Sequence, residues 1–235
     1  MQAVILAGGK GSRLKPFTVN IPKPLVPIDD LPILDVVLRQ LKYYGFTDIV
    51  LAVNHLAELI MAFFGNGEKL GINIRYSIED MALGTAGPIA LLDNLDDDFL
   101  VMNGDLLTTI NYRDLFNYHV KSKNDVTIST YRKDVKIDLG VIELNNKSFV
   151  DYIEKPTYSF TVSMGIYVFS KAVVNYIQKG DVINMPDFII KLKSMEKVIK
   201  CYSGDYYWLD IGRVDDYETA VTMFRERREE FLPDE

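Results

Sequence analysis

Residues 8 to 13 read Gly-Gly-Lys-Gly-Ser-Arg, and a Pro-Lys-Pro triplet follows at 22 to 24. Gly8, Gly9 and Gly11 leave backbone N–H groups with no Cβ in front of them, while Lys10, Arg13 and Lys23 bring compact positive charge to the same stretch. Bare amides plus cations are the chemistry of anion binding, and a polyphosphate suits both. A short apolar run, Ala3 to Ala7, leads straight into the loop like a buried strand, with Leu6 and Ala7 at its root and Ser12 beside Arg13. The same residue types also make an ordinary tight strand-to-helix turn with solvated charges. Two familiar phosphate patterns are not met. The dinucleotide fingerprint begins at Gly9-Lys10-Gly11 but finds Leu14 where its last glycine belongs. Counted from Gly8, the P-loop pattern finds Arg13 and Leu14 where it requires Gly and Lys. The first failure weighs against a nicotinamide-dependent oxidoreductase.

Acidic residues supply the other half of such chemistry. Asp105 follows an apolar run and sits after Asn103-Gly104, where a strand-end carboxylate can hold Mg²⁺ against a nucleotide phosphate. Asn-Gly-Asp is equally good turn chemistry. Asp210 lies in Tyr206-Tyr207-Trp208-Leu209-Asp210-Ile211-Gly212, between an aromatic run and a turn, and is either a second metal carboxylate or a helix cap. Glu154-Lys155-Pro156 closes a weak strand, and Lys155 is either a second phosphate contact or part of a solvated pair.

The bulk of the chain narrows the partners. It has 235 residues, 48% hydrophobic and 25% charged, the profile of an ordinary globular protein. A net charge of −7 with no long basic block makes nucleic acid an unfavourable partner. No apolar run is long enough to span a membrane, and no charged leader with an apolar core precedes the first strand. A cytoplasmic enzyme fits these features. The lone cysteine, Cys201, reads as a buried structural thiol, and His55 and His119 lack metal-ligand spacing.

Elements of alternating type must position these residues. Strands are expected at Val4–Leu6, Asp48–Val53, Ile72–Tyr76 and Phe99–Met102. Helices are expected between them, over residues 33–44, over Leu56–Phe64 and over Thr85–Leu95. That alternation predicts α/β architecture with a Rossmann-like, doubly wound, mostly parallel sheet, whose ligands sit outside the carboxyl ends of the strands. The second half is strand-rich, with strands at Val126–Tyr131, Gly140–Leu144, Phe149–Ile153 and Gly165–Phe169. Its helices are at Asp114–Lys121, Lys171–Ile177 and Asp215–Phe231. One domain over 1–235 is expected.

Together these motifs resemble the sugar-1-phosphate nucleotidylyltransferase family. The resemblance runs from Gly8 to Arg13 and Lys23, through Leu83-Gly84-Thr85-Ala86-Gly87 and Asn103-Gly104-Asp105, to Gly140, Glu154-Lys155-Pro156 and Trp208 to Gly212. The stretch Leu83 to Leu91 is most similar to the mannose-1-phosphate and heptose-1-phosphate guanylyltransferase branches. The resemblance implies a nucleotide half over 1–112 and a sugar-phosphate half over 113–235. It implies that Leu6, Ala7 and the Gly8–Gly11 loop with Ser12 wrap an NTP, GTP before the others. Arg13 would meet the β- and γ-phosphates and Lys23 the α-phosphate. Gly84 and Thr85 would lie at the base, with Asn103 nearby, and Asp105 and Asp210 would hold Mg²⁺. Gly140, Glu154, Lys155 and Ser163 would face a sugar 1-phosphate. Ser163-Met164-Gly165 departs from the family's Asn-Ala-Gly, so the sugar contact there differs. Many guanylyltransferases of the family carry a C-terminal left-handed β-helix that aids assembly. This sequence shows one terminal helix, which leaves a homo-oligomer and allosteric control open. Uridylyl, thymidylyl and cytidylyl transfer, and a silent regulatory homologue, are the alternatives; the last should lack a cation or a metal carboxylate, and this chain keeps them all.

Overall fold

Strand β1 (Gln2–Leu6) is buried along almost its whole length, as a central strand covered on both faces must be. The computed structural model describes residues 1–233 and shows what surrounds that strand. After β2 (Pro27–Ile28) and β3 (Leu31–Pro32) comes α1 (Ile33–Tyr43), which turns Leu34, Val37, Leu38 and Leu41 toward the sheet at three- and four-residue spacing. Then follow β4 (Asp48–Val53), α2 (Ala57–Phe64), β5 (Asn73–Ile78), β6 (Asp98–Asn103) and β7 (Leu106–Thr108). Helix α3 (Tyr112–Ser122) starts where the Asn111 side chain accepts the Asp114 N–H at 3.1 Å, a conventional N-cap.

The second half contributes β8 (Val126–Lys136), the hairpin β9 (Val141–Asn145) and β10 (Ser148–Ile153), and the long β11 (Thr157–Ser170). Helix α4 (Met185–Ser194), β12 (Ile199–Ser203), β13 (Trp208–Asp210), α5 (Val214–Glu226) and α6 (Arg228–Phe231) complete it. Seven strands form one sheet in the order β12-β8-β11-β6-β1-β4-β5. Only β11 runs antiparallel to its neighbours, β6 and β8; every other pairing is parallel. The chain winds from β1 through β4 to β5 on one side and returns to β6 on the other side of β1. The reversal between β1 and β6 opens a crevice at their carboxyl ends. The doubly wound, mostly parallel sheet is therefore as expected.

Several local expectations are corrected. No α-helix covers Thr85–Leu95: a single 3-10 turn, Gly87–Leu91, stands there. The N–H groups of Ala86 and Gly87 both turn to the Ile183 carbonyl, at 3.0 and 3.2 Å, and Pro88 has no N–H to give. Lys171–Tyr176 is likewise 3-10, and the terminal helix breaks at Arg227 into α5 and α6. Cys201 is exposed, against the expected burial. It lies on the edge strand β12, which pairs only with β8. Helix α4 and the short strands β7, β12 and β13 carried no signal strong enough to be anticipated. The β8 and β11 strands extend well beyond their apolar cores and pair as a protruding arm, from which the β9–β10 hairpin branches.

At the far end of the sheet from the crevice, His119 is fully enclosed. Its Nδ1 lies 2.8 Å from Thr127 Oγ1 and its Nε2 3.3 Å from Asp98 Oδ1. Burial holds the imidazole below its ordinary value, and the neighbouring Asp98 and Asp125 carboxylates offset this only in part. The unfolded chain therefore binds the proton more readily than the folded one, so stability is full above the unfolded pKa near 6.5 and is lost as pH falls through the folded value. Urea midpoints are expected to drop between pH 7 and pH 5, with the drop reduced in His119→Gln. An equal drop in that variant would remove His119 as the cause.

Candidate active site

The crevice is a cleft of about 270 Å³ walled by the carboxyl ends of four neighbouring strands. Leu6 and Ala7 come from β1, Asn54 from the end of β4, Glu79 from the end of β5, and Asn103 and Asp105 from β6. Gly8 and Gly9 form one lip; Gly84, Thr85 and Pro88 form another. Gly8 is small for a steric reason. A Cβ there would stand 3.1 Å from Glu79 Oε1 and 3.2 Å from Asn54 Cβ. Gly11 has φ +59°, in the left-handed region, and begins the 3-10 turn Ser12–Leu14. Its carbonyl accepts the Thr18 hydroxyl at 2.7 Å, which folds the loop back toward Lys23. Leu14 is buried with Val26, Ile33, Leu107, Ile211 and Phe224, and so pins the loop that carries Arg13. Gly11 and Ser12 shape the loop without lining the cleft.

Lys23 is buried at the cleft floor on the turn Lys23–Leu25 and ion-pairs with Asp105 Oδ2, 82 positions away in sequence. The other carboxylate oxygen, Asp105 Oδ1, is buried with no hydrogen-bond partner. A buried carboxylate oxygen left open normally costs about 1–3 kcal/mol or more, so one that persists at a cleft calls for a ligand. The second carboxylate arrives through β13, which pairs antiparallel with β7 so that Asp210 stands opposite Leu106. Ile211 N–H closes the pair on the Asp105 carbonyl at 3.1 Å. Partial burial and the Asp105 charge push the Asp210 carboxyl up from the ordinary value, while Lys23 and Arg13 draw it back. Asp105 raises the proton affinity of Asp210 and itself keeps an open oxygen, and two such neighbouring carboxylates fit a divalent cation. No group of three or more His, Cys, Asp or Glu able to hold a metal occurs among the described residues. Two carboxylates match the demand of Mg²⁺, which takes the rest of its ligands from phosphates and water.

Arg13 and Asp210 also line a second recess, with Tyr131, Trp208 and Arg213. The remaining sequence-derived residues lie elsewhere. Ser163 sits on β11 at the bulge opposite β8, its Oγ 3.0 Å from Tyr167 OH. Gly140 precedes β9, and Glu154 and Lys155 follow β10, where the hairpin joins the arm. None of the four lines the cleft. Sequence reasoning missed Asn54 and Glu79. Each stands directly after an apolar strand, as Asp105 does after β6, and that position was the available signal. Burial pushes the Glu79 carboxyl up, although the Leu83 N–H donates to its Oε2 at 3.2 Å. Oε1 remains on the cleft side, toward Gly8.

A doubly wound sheet whose switch point carries a glycine loop, a buried lysine and two facing carboxylates has the architecture of the nucleotide-sugar transferases. Residues 2–227 match the nucleotidyl transferase family model, and the chain belongs to that family. It is 33% identical over 242 residues to a UTP–glucose-1-phosphate uridylyltransferase of Synechocystis sp., covering 94% of this chain and 62% of that protein. It therefore spans less than two thirds of that relative's length. It is 30% identical over 223 residues to the D-glycero-alpha-D-manno-heptose 1-phosphate guanylyltransferase of Aneurinibacillus thermoaerophilus, covering 94% of this chain and 96% of that one. Among solved structures, HddC from Yersinia pseudotuberculosis complexed with GMP-PN superposes with a TM-score of 0.73 at 25% identity, over 95% of this chain and 99% of that chain.

Proposed function

We propose that this protein transfers a nucleotidyl group from an NTP, GTP in preference, to a sugar 1-phosphate of mannose or heptose type, releasing pyrophosphate. The observation that carries the reading is the pairing of Lys23 with Asp105 in the Gly8–Gly9 cleft, with Asp210 close enough beside them to feel both charges. A sugar phosphate oxygen attacks the α-phosphorus, the bond from that phosphorus to the bridging oxygen breaks, and pyrophosphate leaves in line with the electron pair. The nucleophile is already an anion, so no general base is required. Mg²⁺ held by Asp105 and Asp210 would supply charge neutralisation at the phosphates. Lys23 stabilises the charge that builds on the α-phosphoryl oxygens, Arg13 binds the departing β- and γ-phosphates, and the loop amides orient the triphosphate. Bringing two polyanions together costs about 1 kcal/mol per charge pair at 4 Å in water and several times more in a drier site, which is why cations gather here in an acidic protein. On this reading Gly140, Glu154, Lys155 and Ser163 flank the acceptor from the arm.

Glu79 supports GTP. Guanine presents N1–H and the N2 amino group on one edge, and a carboxylate accepts both. Uracil and thymine present a single N–H between two carbonyls, which a carboxylate repels. Guanylyltransferases stand among the relatives, beside a uridylyltransferase. The test is pyrophosphate release from each of the four NTPs against a panel of sugar 1-phosphates. GTP should lead, and Glu79→Gln should cut its advantage at least ~10-fold, the order expected for losing a charged hydrogen-bond acceptor. Because burial raises the Glu79 pKa, GTP binding should also weaken as pH falls toward that value, when the acceptor becomes protonated. An unchanged NTP preference in Glu79→Gln would remove its assignment to the base.

A further inference from the structure

We infer that Thr85 is a positioning residue: its hydroxyl oxygen moors the base-side lip of the cleft to the start of α4, so that a strap over residues 181–185 sets how the lip meets the base. This role rests on the nucleotide reading proposed above. It goes beyond that reading by giving NTP recognition an anchor outside the cleft.

Between β5 and the 3-10 turn at Gly87, residues 79–86 form no helix or strand, so the lip cannot hold itself. Its supports come from far along the chain. The Ile183 N–H donates to the Leu83 carbonyl at 3.0 Å, and the Ile183 carbonyl accepts the N–H groups of Ala86 and Gly87. The shortest tie is made by a side chain: Met185 N–H donates to Thr85 Oγ1 at 2.7 Å, 100 positions away in sequence. Two glycines record how closely the strap lies. A Cβ at Gly84 would stand 2.5 Å from the Ile183 carbonyl oxygen, and one at Gly87 2.4 Å from that of Asp181.

Met185 is the first residue of α4, and the leading amides of a helix have no partner within it. Asn184 stands at the N-cap position but its side chain makes no capping bond, so Thr85 supplies an acceptor from outside the helix. The Met185 side chain is buried with Ala86, Ile89 and Phe188, which fixes that end of α4 in the core. The exposed Thr85 is thereby moored to a rigid element while it lines the cleft. With its oxygen accepting from Met185, its own O–H remains to donate toward the cleft. The strap also aims Glu79, because Leu83, whose carbonyl it holds, donates its N–H to Glu79 Oε2 at 3.2 Å. None of residues 181–185 lines the cleft, so the strap acts only through the lip.

Binding of GTP and of UTP, each with Mg²⁺, is measured by calorimetry in wild type, Thr85→Val and Thr85→Ser, and amide hydrogen exchange is followed with and without the tighter nucleotide. Valine keeps the shape and removes the acceptor; serine keeps the acceptor. In wild type the nucleotide should slow exchange of the Ile183 and Met185 amides, which it does not touch. Thr85→Val should lose that protection and bind the preferred nucleotide about tenfold more weakly, the upper end for one neutral hydrogen bond, with the preference between the two bases narrowed. Thr85→Ser should recover both. A cap with a purely structural role would lower the urea midpoint of Thr85→Val and leave base preference and affinity alone, and that result would overturn the assignment. So would equal losses in the valine and serine variants, or no protection of residues 183–185 in wild type. A wild type that binds neither nucleotide would defeat this role and the transfer reaction together. Binding and strap protection without pyrophosphate release from any substrate pair would defeat the transfer reaction and leave the role of Thr85 standing.

Discussion

Asp105→Ala is expected to lower turnover at least ~100-fold, the magnitude that accompanies removal of one electrostatic element at a reacting centre. The loss should not be recovered by raising the NTP concentration, because the cleft walls at Gly8, Glu79 and Gly84, which the proposal assigns to the base, are untouched. The open Oδ1 disappears with the carboxylate, so the dependence of rate on Mg²⁺ should shift to higher concentrations at the same time. Steady-state rates over an NTP and Mg²⁺ grid check both parts. Turnover within a few fold of wild type would show that Asp210 and the substrate phosphates hold the cation unaided, and the assignment of Asp105 would fall.

Lys23→Met is expected to be as damaging to turnover, at least ~100-fold, and to separate catalysis from stability. Its ammonium is the single hydrogen-bonding partner of Asp105 within the side-chain set of the cleft, and the lysine side chain is 10% exposed against 23% for the aspartate. Breaking a buried pair by deleting one member costs about 3–5 kcal/mol when no water reaches the survivor. Asp105 keeps partial access to water, so a destabilisation of about 1–3 kcal/mol is the reasonable figure. The double variant Lys23→Met/Asp105→Asn should recover most of that stability, since no uncompensated charge remains, yet stay inactive. Mg²⁺ should raise the melting temperature of Lys23→Met more than that of wild type, because the cation no longer competes with the ammonium for Asp105. Full activity in Lys23→Met, or a melting temperature indifferent to Mg²⁺ in every variant, would contradict the reading of this pair.

How much of this was legible in the residues depends on whether the signal was local. The Gly8–Arg13 loop was legible because bare amides and cations sit side by side. The parallel sheet was legible because β1, β4 and β6 are short apolar runs separated by helices at three- and four-residue spacing. Thr85–Leu95 misled because its apolar spacing is helical, while its backbone is claimed by Ile183, nearly a hundred positions later. Cys201 misled because burial on a strand depends on whether a neighbour covers it, and β12 is an edge. Asp210 could be singled out by its odd surroundings, but its meeting with Asp105 depends on the three-residue pairing of β13 with β7, which has no periodicity to read. Glu79 and Asn54 were overlooked for a simpler reason. Their neighbours carry no motif, and only the position of a strand's carboxyl end in the finished sheet gives them a role.

The β7–β13 pairing also sets a timetable. During synthesis from the N-terminus, the glycine loop, Lys23 and Asp105 exist once about half of the chain has emerged, but Asp210 comes with residues 208–210. The helices that follow, α5 and α6, supply Ala220, Phe224 and Phe231 to the cluster that anchors Leu14 and hence Arg13. On the proposed assignment, a nascent or truncated chain ending before β13 would carry the residues of the base-side walls and lack the second carboxylate. If Asp105 and Asp210 act together as proposed, the ability to react is among the last properties the polypeptide acquires.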